Sequence, residues 1–320
     1  MNTAEQLPTI AGNFEAQNQE FDYWVDDIVG KVPTDLTGSF FRNGPGRLKL
    51  AGEEMGHWFD GDGMIARTSF VDGKVHFANK YIRTPKYVDE TKAGKLLYRG
   101  FGGAPKGSLL RRFALPAQPA NTGLIMHAGK FLALGEGGRP FSVEPDTLDT
   151  EGEYDFAGKL GKTMSAHGKK NPHTGYYYNF GMRFGAKPSF DLYKVSPSGK
   201  IVDSNTFYLD HMPMLHDFAL TENYAIFIQS SVSMSPNPLP ILLGGSIADC
   251  MQYDDRLRNK IIIINLHTMK LADEIDIDPT TCLHFGNAYE KGNDLHFDMM
   301  KTQPGGYSTP DHKLPSFNVF

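Results

Sequence analysis

The 320-residue sequence predicts an all-β protein built from successive antiparallel hairpins. Three observations carry this. The 34 glycines and 20 prolines are scattered along the chain rather than gathered into a linker, as many tight turns require. Short runs rich in β-branched and aromatic residues lie between those turns. Convincing helical periodicity is scarce; Ile247 to Leu257 is the one segment expected to form a short helix.

The hairpins follow in order. Met64 to Phe70 and Val75 to Ile82 flank Val71-Asp72-Gly73-Lys74, and Asp-Gly supplies the positive φ a tight turn needs. Leu124 to Met126 and Phe131 to Leu134 flank a second turn at Ala128-Gly129. Phe190 to Val195 with Ile201 to Leu209, and Ile261 to Leu266 with Leu271 to Ile277, form two more. Tyr176-Tyr177-Tyr178 and Ile261-Ile262-Ile263-Ile264 suit strands buried on both faces. Asn43-Gly44-Pro45-Gly46 lacks the Gly-Lys-Ser/Thr of a phosphate loop and reads as a turn. Asp60-Gly61-Asp62-Gly63-Met64 lacks the oxygen spacing of a calcium loop and reads as a turn feeding a strand.

Composition excludes several functions. Net charge is −5, which gives no electrostatic reason to expect nucleic acid. Cys250 and Cys282 make neither a disulfide framework nor a zinc ribbon and read as reduced thiols. The first twenty residues lack the basic and apolar regions of a secretory signal, and no apolar run is long enough to span a bilayer. A cytoplasmic protein is expected. The apolar stretch Pro236 to Ile247, broken by proline and glycine, is the candidate for peripheral membrane contact or for the mouth of an apolar tunnel, and reads equally as a packed loop.

Hairpins at such spacing fit a sandwich or a radial array of four-stranded blades. One regularity favours the array. His167, His216 and His284 each open a strand running into a hairpin, at His173-Thr174-Gly175, Thr221-Glu222-Asn223 and Lys291-Gly292-Asn293 respectively. They are separated by 49 residues (167 to 216) and 68 residues (216 to 284). Residues opening the inner strands of successive blades face one another across the axis, so the three imidazoles converge. Without cysteine partners, such a set suits iron, copper or zinc. Glu136 follows the returning strand Phe131 to Leu134 and so comes back toward the same level. There it can accept the second N–H of a ligating imidazole or serve as a loop residue in Gly135-Glu136-Gly137-Gly138. Glu290 reads as structural. The other eight histidines (His57, His76, His127, His173, His211, His267, His296 and His312) read as structural or solvated.

Several motifs carry a family likeness. These are Phe21-Asp22-Tyr23-Trp24-Val25, Gly38-Ser39-Phe40-Phe41-Arg42-Asn43-Gly44-Pro45-Gly46, Phe59-Asp60-Gly61-Asp62-Gly63-Met64, Asn121-Thr122, Ser165-Ala166-His167 with Asn171-Pro172-His173-Thr174-Gly175, His216-Asp217-Phe218-Ala219-Leu220-Thr221, and His284-Phe285-Gly286-Asn287-Ala288-Tyr289-Glu290. In order and spacing they resemble the carotenoid cleavage oxygenase family, most closely its cyanobacterial apocarotenoid oxygenases. The resemblance implies a seven-bladed β-propeller with iron(II), Fe(2+), on its axis, held by four histidines. Three match His167, His216 and His284, and Glu136 matches a glutamate behind the ligands. The fourth histidine would come from a C-terminal part beyond Phe320, so about five blades are expected, as a single domain over residues 1–320 with 1–30 an extension packed on it. The implied reaction is cleavage of a C=C bond in an apolar polyene by O2, giving two carbonyl products. Stilbene-type alkene cleavage, or an incompetent fragment that binds apolar ligands, are the rival expectations.

Overall fold

The computed structural model describes residues 15–302 except 104, 106–115, 185–186, 236, 238 and 244. The C-terminal His312 therefore lies outside the described residues. The chain forms four four-stranded antiparallel sheets in succession, then a long hairpin.

The first sheet holds β1 (Asp22–Val25), β2 (Gly38–Arg47), β5 (Asp62–Val71) and β6 (Lys74–Tyr81) in the order β1-β6-β5-β2, with a small ribbon, β3 (Lys49–Leu50) and β4 (Glu53–Glu54), between. Part of the segment expected as an N-terminal extension thus supplies the outer strand of this sheet. The β5–β6 turn sits at Asp72 (φ 50°) and Gly73 (φ 75°), two successive left-handed residues whose twist matches the strands they join.

Asn43 to Gly46 is a strand and not the turn expected: it continues β2, with a register shift between Pro45 and Arg47. β2 ends the sheet, so proline's missing N–H is tolerated there.

The second sheet comprises β7 (Gly123–His127), β8 (Lys130–Leu134), β9 (Phe141–Val143) and β10 (Thr150–Glu153). The third comprises β11 (Lys169–Lys170), β12 (Tyr177–Arg183), β13 (Ser189–Val195) and β14 (Ile201–Tyr208). The fourth comprises β15 (Ala219–Leu220), β16 (Tyr224–Gln229), β19 (Asn259–Asn265) and β20 (Lys270–Ile277), with a ribbon of β17 (Val232–Met234) and β18 (Met251–Tyr253) inserted before β19. The closing hairpin is β21 (Thr281–Lys291) and β22 (Asp294–Thr302).

Apolar layers between successive sheets hold them together. Ile65 and Ala78 of the first sheet pack with Phe131 and Ala133 of the second. Leu132 and Leu134, alternating with those two along β8, point the other way and meet Tyr177, Tyr193 and Val195 of the third. Tyr178, Phe180, Phe190 and Leu192 in turn face Ala225, Phe227, Ile262 and Ile264 of the fourth. The side-chain period of two thus divides these strands between two interfaces, which is why β8 reads as an unbroken apolar run from Phe131 to Leu134.

Two local expectations need correction. Ile247 to Leu257 is not a helix. Ser246 and Asp249 bond each other, Ser246 Oγ donating to Asp249 Oδ2 at 2.9 Å, which closes a single 3-10 turn at Ala248–Cys250. The chain then pairs as β18 with β17. A helix does form at α1 (Pro85–Ala93), capped by Thr84, whose hydroxyl accepts from Tyr87 N at 3.1 Å, and ended by Gly94 at φ 61°. A further helical turn, α2 (Leu239–Leu242), lies in the 236–247 stretch. Cys250 and Cys282 are both buried free thiols, as expected. No helix among the described residues is long and apolar enough to cross a membrane.

Candidate metal centre

Each of the three histidines expected to converge lies at an inner strand. His167 just precedes β11, His216 just precedes β15, and His284 lies within β21. A ring nitrogen from each lies within 4.8 Å of those of the other two. His167 Nε2 and His216 Nε2 are 2.9 Å apart, and the three ring centroids are separated by 4.3, 5.0 and 4.9 Å. Two nitrogens bound to one metal at about 2.1 Å, with a right angle between them, would be about 3.0 Å apart.

Backbone and side-chain contacts fix this arrangement. The Ser165 hydroxyl donates to the His216 carbonyl at 3.0 Å, and the His167 amide donates to the Ser165 hydroxyl at 3.2 Å, tying the two histidine segments together. Gly168 follows because a Cβ there would fall 1.9 Å from the Tyr177 hydroxyl. Glu136 comes back to the level of the histidines, as its place after β8 suggests. Its Oε1 accepts from the Ala166 amide at 3.2 Å and lies 3.3 Å from His216 Nδ1. Glu290 is structural, as expected: it accepts from Thr221 Oγ1 at 2.6 Å and from Asn223 N at 2.8 Å, stapling the turn after β15 to β21.

Asp217 was not singled out in the sequence, although it directly follows His216. It is buried, pairs with Lys169 Nζ at 2.8 Å, accepts from Phe285 N at 3.0 Å and lies 3.9 Å from His284 Nδ1. It therefore joins the β15 and β21 segments behind the cluster. The carboxylates thus stand behind the rings, on the Nδ1 side of His216 and His284, and the inner donors are imidazole nitrogens alone. Burial, reinforced by neighbouring His216, holds the His167 imidazole down to about 4, and burial likewise lowers His284. Neutral rings with their lone pairs directed inward are what a first-row divalent metal requires. The donor set fits iron(II).

Of the other histidines, His57 caps the Trp58–Asp60 turn, its Nδ1 accepting from Phe59 N. His127 and His211 bond the backbone carbonyls of Ser196 and Ser230. None of these three belongs to the cluster.

The three rings open into a cavity of about 390 Å³. Its described lining is mostly apolar: Phe59, Phe101, Phe180 and Phe184, with Met182, Met212, Met214, Met234 and Met251. Residue counts alone could not locate this cavity. Ile247, from the 236–247 stretch, also lines it, while Leu239 and Leu243 are exposed. That stretch is therefore partly wall and partly surface.

A family model described as retinal pigment epithelial membrane protein matches residues 14–317. The chain belongs to the carotenoid oxygenase family. Among curated members it is 36% identical, over 89% of its length, to apocarotenoid-15,15'-oxygenase of Synechocystis, and covers 60% of that protein. It is 31% identical, over 88% of its length, to lignostilbene-alpha,beta-dioxygenase isozyme III of Sphingomonas paucimobilis, of which it covers 58%. A solved structure of a cobalt-substituted Synechocystis enzyme of this family superposes with a TM-score of 0.85 at 34% identity, over 97% of this chain and 65% of the other. The fold is thus the family's β-propeller, and the chain spans about 60% of the length of the first two relatives.

Proposed function

We propose that this chain carries most of the active site of an iron(II)-dependent oxygenase. The enzyme would cleave a C=C bond of an apocarotenoid or carotenoid with O2 to give two carbonyl products. The observation that carries this reading is the imidazole cluster opening directly into an apolar cavity. His167, His216 and His284 hold the metal; Glu136 orients His216, and Asp217 holds the backbone beside His284 through the Phe285 amide.

Iron(II), when bound, supplies the one-electron and O2 chemistry. The rest belongs to the chain. Neutral imidazoles leave the ion its full charge. Aromatic and methionine side chains exclude water and accept a rigid conjugated rod, so that the depth of insertion selects the bond. The reaction requires no protein acid or base. The exposed Leu239 and Leu243, on the stretch whose Ile247 lines the cavity, would meet an apolar substrate or a membrane surface.

A second reading, cleavage of a stilbene-like phenolic alkene, draws on the similarity to the lignostilbene dioxygenase and on the polar groups Asp60 and Arg99 at the cavity wall. Product analysis under iron(II) and O2, with an apocarotenal and a hydroxystilbene in parallel, separates the two. An iron-loaded protein, completed with a C-terminal segment of the length its relatives have, that cleaves neither would overturn both.

A further inference from the structure

One cavity wall is built from three short segments stitched together, and a buried carboxylate makes the central stitch. Asp60, only 4% exposed, ends the 3-10 turn Trp58–Asp60. Its Oδ1 accepts from the Phe101 amide, and its Oδ2 accepts from the Gly102 amide at 3.1 Å. The approach is close: a Cβ on Gly100 would fall 2.2 Å from the Asp60 Cγ, and one on Gly102 would fall 2.2 Å from the His57 Cβ. The carboxylate thus grips bare backbone.

The loop it grips holds the third segment in turn. The Arg99 guanidinium donates to the Ile241 and Gly245 carbonyls at 3.0 and 2.9 Å, and the Ala248 amide donates to the Phe101 carbonyl at 2.8 Å. On the other side, Asn121 Nδ2 donates to the Phe59 and Gly61 carbonyls at 3.0 and 2.7 Å. The outcome is an aromatic wall. The Phe59 and Phe101 rings pack 5.4 Å apart, both against His57, and both line the cavity.

We propose that Asp60 is a positioning residue for ligand selection: by holding the Phe101 and Gly102 amides, its carboxylate sets the Phe59–Phe101 wall and thereby the shape of rigid ligand the cavity admits. This rests on the alkene-binding reading above. Burying a carboxylate costs stability, and burial pushes this one up to about 6 in spite of its amide donors. A neutral hydrophobe would pack here at lower cost. What the carboxylate adds is two acceptors at a spacing that fixes a loop with few side chains of its own to pack.

The test uses the chain as it is, without iron. Amide hydrogen exchange over residues 99–103 reads the clamp, and fluorescence titration with trans-4-hydroxystilbene and with a long apocarotenal reads the selection. Asp60→Ala is expected to lower protection at residues 101 and 102 by about tenfold or more. It is also expected to shift the ratio of the two dissociation constants about tenfold, in the same direction as Phe101→Ala. Asp60→Asn keeps one acceptor and falls between. Unchanged protection in Asp60→Ala would overturn the proposal. So would lost protection with a ratio within about twofold of wild type. Should Asp60→Ala not fold, Asp60→Asn and Phe101→Ala carry the same comparison. A wild-type chain that binds neither ligand fails the alkene-binding reading and with it the selection role, while the exchange data still decide the clamp separately.

Discussion

Oε1 of Glu136 lies 3.3 Å from Nδ1 of His216 and also accepts from the Ala166 amide, one residue before His167. One carboxylate thus fixes a ring on one blade and the backbone beside a ring on another. Glu136→Ala is expected to weaken divalent metal binding about 10- to 100-fold, with Glu136→Gln closer to wild type because it retains an acceptor. Competition for cobalt(II) against a chelator measures this. Equal affinities in all three proteins would remove Glu136 from the site.

The imidazoles themselves give a sharper result. His167→Ala, His216→Ala and His284→Ala should each lose stoichiometric cobalt(II) binding, seen as loss of the metal's visible absorption bands. His211→Ala, at a ring that bonds the Ser230 carbonyl away from the cluster, should retain it. A full complement of metal in any of the three cluster variants would exclude that histidine as a ligand.

These histidines were legible because their placement repeats: each lies just before or near the start of the inner strand of its blade, and that periodicity survives in sequence. Hairpins were legible where Asp72-Gly73 or Ala128-Gly129 supplied two left-handed residues. Helix α1 was not, because the side chains it buries are Lys86 and Glu90, so no apolar stripe marks it. It shows instead in its ends, Thr84-Pro85 and Gly94. Asn43 to Gly46 looked like a turn because its composition is that of turns, and only the unpaired edge of β2 lets it run as strand. Asp217 is visible beside His216, but a sequence does not say which neighbouring segment a side chain will meet.

The core between the third and fourth sheets centres on Phe227. It is fully buried and stacked 5.0 Å from Phe218 at an interplanar angle of 11°, with Phe190 4.6 Å away. Phe227→Ala should destabilise the fold by about 3–5 kcal/mol, measured by denaturant unfolding with an unchanged slope. A loss under about 1 kcal/mol would mean that this layer is not the tightly packed interface described.

Asp60 sets a pH dependence whose sign is opposite to that of a salt-bridged aspartate. Its carboxyl holds a proton up to about pH 6 in the folded chain, mainly through burial and despite the nearby Lys86 ammonium, but only to about 3.9 when unfolded. The folded state therefore binds more protons between these values, and stability falls as pH rises through that window. Relative to Asp60→Asn, wild type should lose up to about 3 kcal/mol between pH 4 and pH 7. Parallel chemical-denaturation series of the two proteins read the difference. A flat difference across the window would place Asp60 in a more hydrated setting.

Alternation along β8, with Leu132 and Leu134 on one interface and Phe131 and Ala133 on the other, restricts where this chain can change length. One residue inserted mid-strand would exchange the contents of two adjoining layers at once, corrupting both neighbours of a blade. The excursion through β17, α2 and β18 instead enters between β16 and β19 and leaves the pairing of those two strands intact. Growth confined to such excursions lets the interval between successive axial imidazoles vary while the imidazoles stay in register.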